Sequence, residues 1–210
     1  MEDQSDINIQ YINSKVDDTS DYVAKMQVPE EPLYEISLEN TEFSYNSARK
    51  LYMTTSHIEA KGSKLTIIGT NIYDEPIQEI LSPSSTEPGE VYGKLYFKTI
   101  TSSRATGTAS KAFWNGLVSI GMTSTIIQSI GDNKKTYIKG YSITSGPLKG
   151  IMKFCDRTSL LEPVKFKLQI DGSKNKIISY TIPGEGLMFE KGLTIEYTNK
   201  NITSMNIYYT

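Results

Sequence analysis

The sequence predicts an all-β protein: two small antiparallel β-sandwich modules, jelly-roll or immunoglobulin-like, preceded by an extended acidic N-terminal arm. Three observations carry this expectation. From Leu33 onward apolar residues recur with a period of two, as in Val164, Phe166, Leu168 and Ile170 alternating with Lys165, Lys167 and Gln169. A strand with one buried face gives this pattern, because successive side chains point to opposite sides of a sheet. Turn-forming clusters punctuate the runs at even spacing, among them Asp74-Glu75-Pro76, Ser145-Gly146-Pro147, Asp171-Gly172 and Pro183-Gly184. The apolar fraction is 38%, and it already includes 14 Tyr, the remainder being rich in Ser, Thr and Asn, which suits strands and turns better than helices.

Taken in order, residues 1–32 form the arm. Residues 1–35 hold nine acids and only Lys15 and Lys25, a net charge of −7, which leaves +5 for the other 175 of the 210 residues. Such an arm is either a solvated tail or a strap that crosses the basic surface of a neighbouring subunit. Within it, Ser20 or Asp21 can cap a short helix over Tyr22–Gln27 before Pro29. Strands are expected at about 49–55, 64–73, 94–101, 117–121, 125–130, 136–143 and 149–155. Clear alternation then marks Val164–Ile170, Leu193–Thr198 and Met205–Tyr209. Ser102–Ser110 reads as a polar exposed hinge. Placing the change of module near Gly121–Ser124 gives module 1 as residues 33–122 and module 2 as residues 123–210, each large enough to fold alone.

Composition closes much of the enzyme menu. A single Cys155 excludes an intramolecular disulfide and a thiolate zinc site, and a single His57 excludes any site built on two imidazoles. His57 follows Thr54-Thr55-Ser56 and reads as a turn or surface histidine, while Cys155 reads as a small buried hydrophobe. No phosphate-binding, dinucleotide-binding, zincin or nucleophile-elbow motif is present. Asp74/Glu75 and Glu185/Glu190 are the available carboxylate pairs, but both stand in turn-like contexts rather than across a cleft. Asp171-Gly172-Ser173-Lys174-Asn175 lacks a calcium-loop ligand series and reads as a hairpin turn. Asn201-Ile202-Thr203 fits a glycosylation sequon by chance. These residue types point to no catalytic, cofactor-binding or metal-ligating residue, and no cofactor is expected.

No cluster of Lys or Arg tracks a phosphate backbone, so nucleic acid is not an expected partner. The uncharged stretch Ala112–Gly131 is interrupted by too many Ser, Thr, Asn and Gly residues to span a bilayer, and it reads as buried strands. The acidic, polar N-terminus lacks the basic and apolar regions of a secretory signal, so a soluble protein is expected. Tyrosine is in excess, with 14 Tyr against six Phe and one Trp, and most of these rings are expected in sheet packing.

Two stretches carry a resemblance. From Ala48 to Ser102, the matching positions are Ala48, Arg49, Thr66, Ile67, Gly69, Thr70, Asn71, Glu79, Leu81, Tyr96, Phe97, Lys98, Thr99, Ile100, Thr101 and Ser102. In the second, Ile182, Pro183, Gly184, Glu185, Gly186, Phe189, Gly192, Leu193 and Ile195 form an I-P-G-E-G-x-x-F-x-x-G-L-x-I run. In tandem these resemble the β-modules of virion structural proteins of tailed bacteriophages, of the capsid decoration or auxiliary type. The resemblance implies a non-enzymatic component of the particle, first a capsid decoration (cement) protein that binds and bridges major capsid subunits. It implies the major capsid protein or another virion structural protein as partner, location on the virion after assembly in the host cytoplasm, and no membrane or nucleic-acid partner. It transfers no catalytic residue.

The alternatives are a head–tail neck, tail-ring or appendage protein and, from another class, a glycan-binding host-attachment module. The last would need an exposed aromatic platform, for which Trp114 is the only tryptophan. An open edge strand in either module would invite pairing between subunits, so a homo-oligomer is expected.

Overall fold

The structure is a computed structural model that describes residues 7–13, 22–27, 35–36, 38–39, 41–43, 47–55, 64–82, 89–106, 118–131, 134–156, 164–198 and 200–210. It is all-β and antiparallel. The strands are β1 (Asn8–Asn13), β2 (Tyr22–Gln27), β3 (Ser47–Thr55), β4 (Lys64–Thr70), β5 (Pro76–Leu81), β6 (Gly89–Phe97), β7 (Thr99–Thr106) and β8 (Val118–Ile130). They continue as β9 (Thr136–Ser145), β10 (Gly150–Asp156), β11 (Val164–Ile170), β12 (Ile177–Thr181), β13 (Leu187–Phe189), β14 (Leu193–Thr198) and β15 (Ile202–Tyr209). The chain divides into two compact units, residues 18–123 and residues 1–17 with 124–210, so the division falls inside β8.

In the unit formed by 1–17 and 124–210, one sheet has the order β1-β15-β9-β12, with β13 pairing the start of β9. The facing strands run β11-β10-β14 and then the second half of β8, where Leu193–Thr198 pairs with Thr125–Ile130. Ile12, Ile138, Tyr141, Ile143, Ile202, Met205 and Ile207 from the first sheet meet Ile126, Ile130, Met152, Phe154, Ile170, Leu193, Ile195 and Tyr197 from the second. Burial of this apolar area is the main stabilising term, at roughly 25 cal/mol per Å² removed from water. Tilted ring contacts link Tyr141, Phe154 and Phe166, with centroids 5.3–6.1 Å apart, and each adds about 0.5–1.5 kcal/mol beyond area burial.

In the unit formed by 18–123, the three-stranded sheet β5-β4-β7 shares a core with β2, β3, β6 and the first half of β8. Leu51, Met53, Leu65, Ile67, Leu81, Phe97, Ile100 and Ile120 fill it. Lys98 is the switch between sheets: β6 ends at Phe97 beside β3, and β7 begins at Thr99 beside β4. The Lys98 N–H donates to Thr70 O at 2.8 Å, and a Cβ on Gly69 would stand 1.9 Å from Thr99 O, so only glycine lets the two backbones approach here.

Several sequence expectations are corrected. Tyr22–Gln27 is not a helix but a strand, paired with β8 through Tyr22↔Gly121, Ala24↔Ile120 and Gln27↔Val118. Six residues are too few for a self-supporting helix, so long-range pairing decides. The expected strand at 94–101 is two strands that separate at Lys98. The expected hinge at Ser102–Ser110 is strand as far as Thr106, with Ser103 and Ala105 buried, while residues 107–110 lie outside the described residues. The two strands expected at 117–121 and 125–130 are the single strand β8. Asp171-Gly172 does not close a hairpin: it links β11 at the edge of one sheet to β12 at the edge of the other.

The arm expected at 1–32 contributes strands to both units. β1 pairs with β15 from Asn8↔Tyr209 to Asn13↔Ser204, and Ile12 and Ala24 are core residues. Residues 1–32 therefore supply core side chains to both units, and their deletion would cost stability.

Candidate interaction surface

The outer face of the β1-β15-β9-β12 sheet carries the side chains that alternate with the core. Register places Tyr11, Asn206 and Ser142 in one row across β1, β15 and β9, and Ser179 of β12 opposite Ser142. The next rows hold Ser204, Thr144 and Ile177 on one side, and Ile9, Tyr208, Gly140 and Thr181 on the other. Ser179 Oγ donates to Ser142 Oγ at 2.9 Å, which ties β12 to β9 on this face. No charged side chain stands in these rows. Hydroxyls and amides of this size shed water at lower cost than ions, so such a face suits burial against another protein. Ile9, Tyr11 and Ile177 are about 60% or more exposed on it.

One end of the same face is cationic and aromatic. A bulge in the β9–β15 ladder between Tyr208 and Tyr209 shifts the alternation, so Tyr137 and Lys139 are half-buried while Thr136 and Ile138 are buried. Lys135, Tyr137, Lys139, Glu185 and Thr210 line an open depression of about 390 Å³. The Lys135 and Lys139 ammonium groups stand 5.5 and 6.0 Å from the Tyr137 ring centroid. Lys139 Nζ donates to Glu185 O at 3.0 Å, and Tyr137 exchanges backbone hydrogen bonds with Thr210 at 2.9 and 3.0 Å. The Tyr137 hydroxyl, by hydrogen bonding to Lys135, raises the lysine pKa, with smaller contributions from Glu190 and Glu185. The depression can hold a carboxylate or a carbonyl-rich loop.

The residues weighed in the sequence are placed as follows. Asp74, at φ 61°, is ion-paired with Lys98 at 2.6 Å, and Glu75 accepts Asn71 Nδ2 at 2.8 Å, so that pair belongs to a turn. Asn71 Oδ1 accepts Tyr73 N and Glu75 N at 2.8 and 3.1 Å, which fixes the same turn. Glu185 lies at the depression, whereas Glu190 gives its backbone N–H to buried Asp156 at 3.1 Å. Asp171 accepts Ser173 N at 3.0 Å and Lys176 Nζ at 2.6 Å, and these contacts, Lys176 first, hold its carboxyl down at about 2. Cys155 is fully buried in β10. Asn201 of the sequon is also buried, its Oδ1 accepting Thr198 N at 3.0 Å, so it is a turn residue. His57 and Trp114 lie outside the described residues. Among the described residues no group of three His, Cys, Asp or Glu is arranged to hold a metal ion.

Many positions that carry the phage resemblance have structural roles. Glu79 on β5 accepts the Lys94 and Leu95 N–H groups of β6, while Leu81, Phe97 and Ile100 are buried. In the second stretch, Gly184, Gly186 and Gly192 have positive φ angles, and Phe189, Leu193 and Ile195 are core. No family model matches the chain, and no curated protein matches it.

Sequence reasoning missed the outer face, although a signal exists. Asn8–Asn13, Ile177–Thr181 and Ile202–Tyr209 contain no charged residue, in a chain in which 22% of residues are charged. It also missed Asp156, which is 2% exposed and organises the Glu190–Lys191 turn through two backbone N–H groups, with Lys165 Nζ at 3.4 Å.

Proposed function

We propose that this chain is a structural protein of a tailed-phage particle, a capsid decoration protein that binds and bridges major capsid subunits as a homo-oligomer. The observation that carries the reading is the set of uncharged rows on the outer face of the β1-β15-β9-β12 sheet, with Ile9, Tyr11 and Ile177 exposed in them. A rigid, hydroxyl- and amide-rich sheet can be laid on a preformed lattice without stripping water from ions. The tandem resemblance supplies the class of lattice. Lys135 and Lys139 at the end of the face offer a register for an acidic loop of the capsid protein.

A neck or tail-ring position is the second reading, favoured by the two open edges of the same sheet. A glycan-binding attachment module is third, since the depression offers a single tyrosine ring, Tyr137, beside two lysines. Quantitative mass spectrometry of purified particles separates these. A copy number comparable to that of the major capsid protein is the expected result, while a number that fits one small ring moves the protein to the neck or tail. Absence from the particle sinks the virion reading altogether.

A further inference from the structure

The order β1-β15-β9-β12 leaves β1 and β12 as the two borders of one sheet, and among the described residues no strand pairs with the outer side of either. Such borders present unpaired N–H and C=O groups, and proteins usually guard them with charge, proline or a covering segment. β11, a border of the facing strands, is guarded: Lys165 and Lys167 are exposed along it. β1 reads Asn-Ile-Gln-Tyr-Ile-Asn and β12 reads Ile-Ile-Ser-Tyr-Thr, with no charge in either. Each border instead exposes large apolar side chains, Ile9 and Tyr11 on β1 and Ile177 and Tyr180 on β12, at 57–67%.

We infer that copies of this chain join head to tail, the β1 edge of one adding to the β12 edge of the next. Direction favours this contact. All three ladders in the row are antiparallel, so β1 and β12 run in opposite senses. A second copy in the same orientation therefore presents its β1 antiparallel to β12, and the row of strands continues. The outer faces match as well, since Ile9, Tyr11 and Ile177 share one face and become cross-strand neighbours, the unit of sheet stabilisation. Charge selects the partner edge. The sequence flanking β1 is net acidic on both sides, with Glu2, Asp3 and Asp6 before it and Asp17 and Asp18 outweighing Lys15 after it. Pairing β1 with another β1 would set these flanks against each other. Antiparallel addition to β12 instead brings the end of β1 to the start of β12, which follows Lys174 and Lys176, the latter already paired with Asp171, so that Lys174 is the cation that meets the acidic flank. A head-to-tail contact uses different surfaces on each copy, so assembly proceeds beyond a dimer, to a ring where the rotation per copy closes and to an open row where it does not.

The inference supplies the contact for the homo-oligomer of the proposed function and is tested on the purified full chain alone, without particles. The size of the wild type, Tyr11→Lys, Ile177→Lys and an equimolar mixture of the two variants is measured by light scattering coupled to gel filtration. Both substituted side chains are exposed, and circular dichroism checks that each variant is folded. The expected result is a wild-type oligomer larger than a dimer, loss of the oligomer in each variant, and a dimer in the mixture. That dimer forms because the intact β12 edge of Tyr11→Lys meets the intact β1 edge of Ile177→Lys. A monomeric or strictly dimeric wild type overturns the inference, as does an Ile177→Lys variant that keeps the wild-type size. A mixture that stays monomeric also overturns it. Failure to attach to particles by a chain that forms the oligomer counts against the decoration reading only.

Discussion

Gly192 offers the sharpest test of the second sandwich. It precedes β14, has φ 93°, and an added Cβ would stand 2.1 Å from Gly131 O and 3.0 Å from Ile130 O. Both obstacles are backbone at the end of β8, so no side-chain rotation relieves them. Gly184, in the β12–β13 turn, has a similar angle, φ 70°, but an added Cβ there meets nothing within 4 Å. Gly184→Ala therefore measures the left-handed backbone cost alone, about 1–2 kcal/mol. Gly192→Ala carries that cost and the displacement of packed backbone, about 1–3 kcal/mol more by analogy with overpacked cores. The expected loss is about 2–5 kcal/mol for Gly192→Ala.

Urea unfolding followed by far-ultraviolet circular dichroism gives the comparison, with amide signals from β9 and β14 reporting on the affected unit directly. In a thermal scan, Gly192→Ala should melt roughly 8 °C or more below wild type, and Gly184→Ala should fall in between. Equal destabilisation by the two substitutions would refute the packing of Gly192 against Gly131, because it would leave only the shared backbone term.

Two further predictions concern titration. The depressed carboxyl of Asp171, at about 2, contributes stability that is present above its ordinary value of 3.8 and is lost as pH falls toward 2, so Asp171→Asn should flatten the change in unfolding midpoint between about pH 4 and pH 2. The Tyr92 hydroxyl donates to the Glu90 carboxylate, which raises the tyrosine pKa above 10.0, so Glu90→Gln should bring phenolate formation to lower pH in tyrosine-ring NMR.

The strands legible in the sequence are those whose own residues alternate cleanly. Val164–Ile170 and Leu193–Thr198 fall at the expected bounds, because Lys165 and Lys167 or Thr194 and Glu196 interleave with apolar neighbours. Asn8–Asn13 and Tyr22–Gln27 were not legible as strands, since each is defined by a ladder to a partner far along the chain, β15 and β8 respectively. The break at Lys98 was hidden for a related reason: it depends on the approach of Gly69, which the run Leu95–Ile100 does not contain. Turn chemistry was legible where one residue dictates it, as at Asp74, but Asp171-Gly172 shows the limit of that reading. The local bend is present, with Gly172 at φ 79°, while its outcome, a change of sheet rather than a hairpin, is set by which sheet needs an edge strand.

The same division separates scaffold from partner choice. Glu79 holds the backbone of β6, Gly192 admits the end of β8, and Phe97, Phe189 and Ile195 fill cores, so these positions of the resemblance specify a sandwich. Any partner choice would instead come from side chains that fold stability leaves free, and in the uncharged rows of the β1-β15-β9-β12 sheet these are hydroxyls, amides and a few exposed rings and isoleucines, with Lys139 at one end. A solvated face has no need to avoid Lys and Glu, which would aid solubility at no cost to the core. Their absence from these rows, while Lys165 and Lys167 mark the edge of the facing strands, follows if the outer face and its two borders are buried in an assembly. A sheet that only shielded its own core would require uncharged residues on its inner side alone.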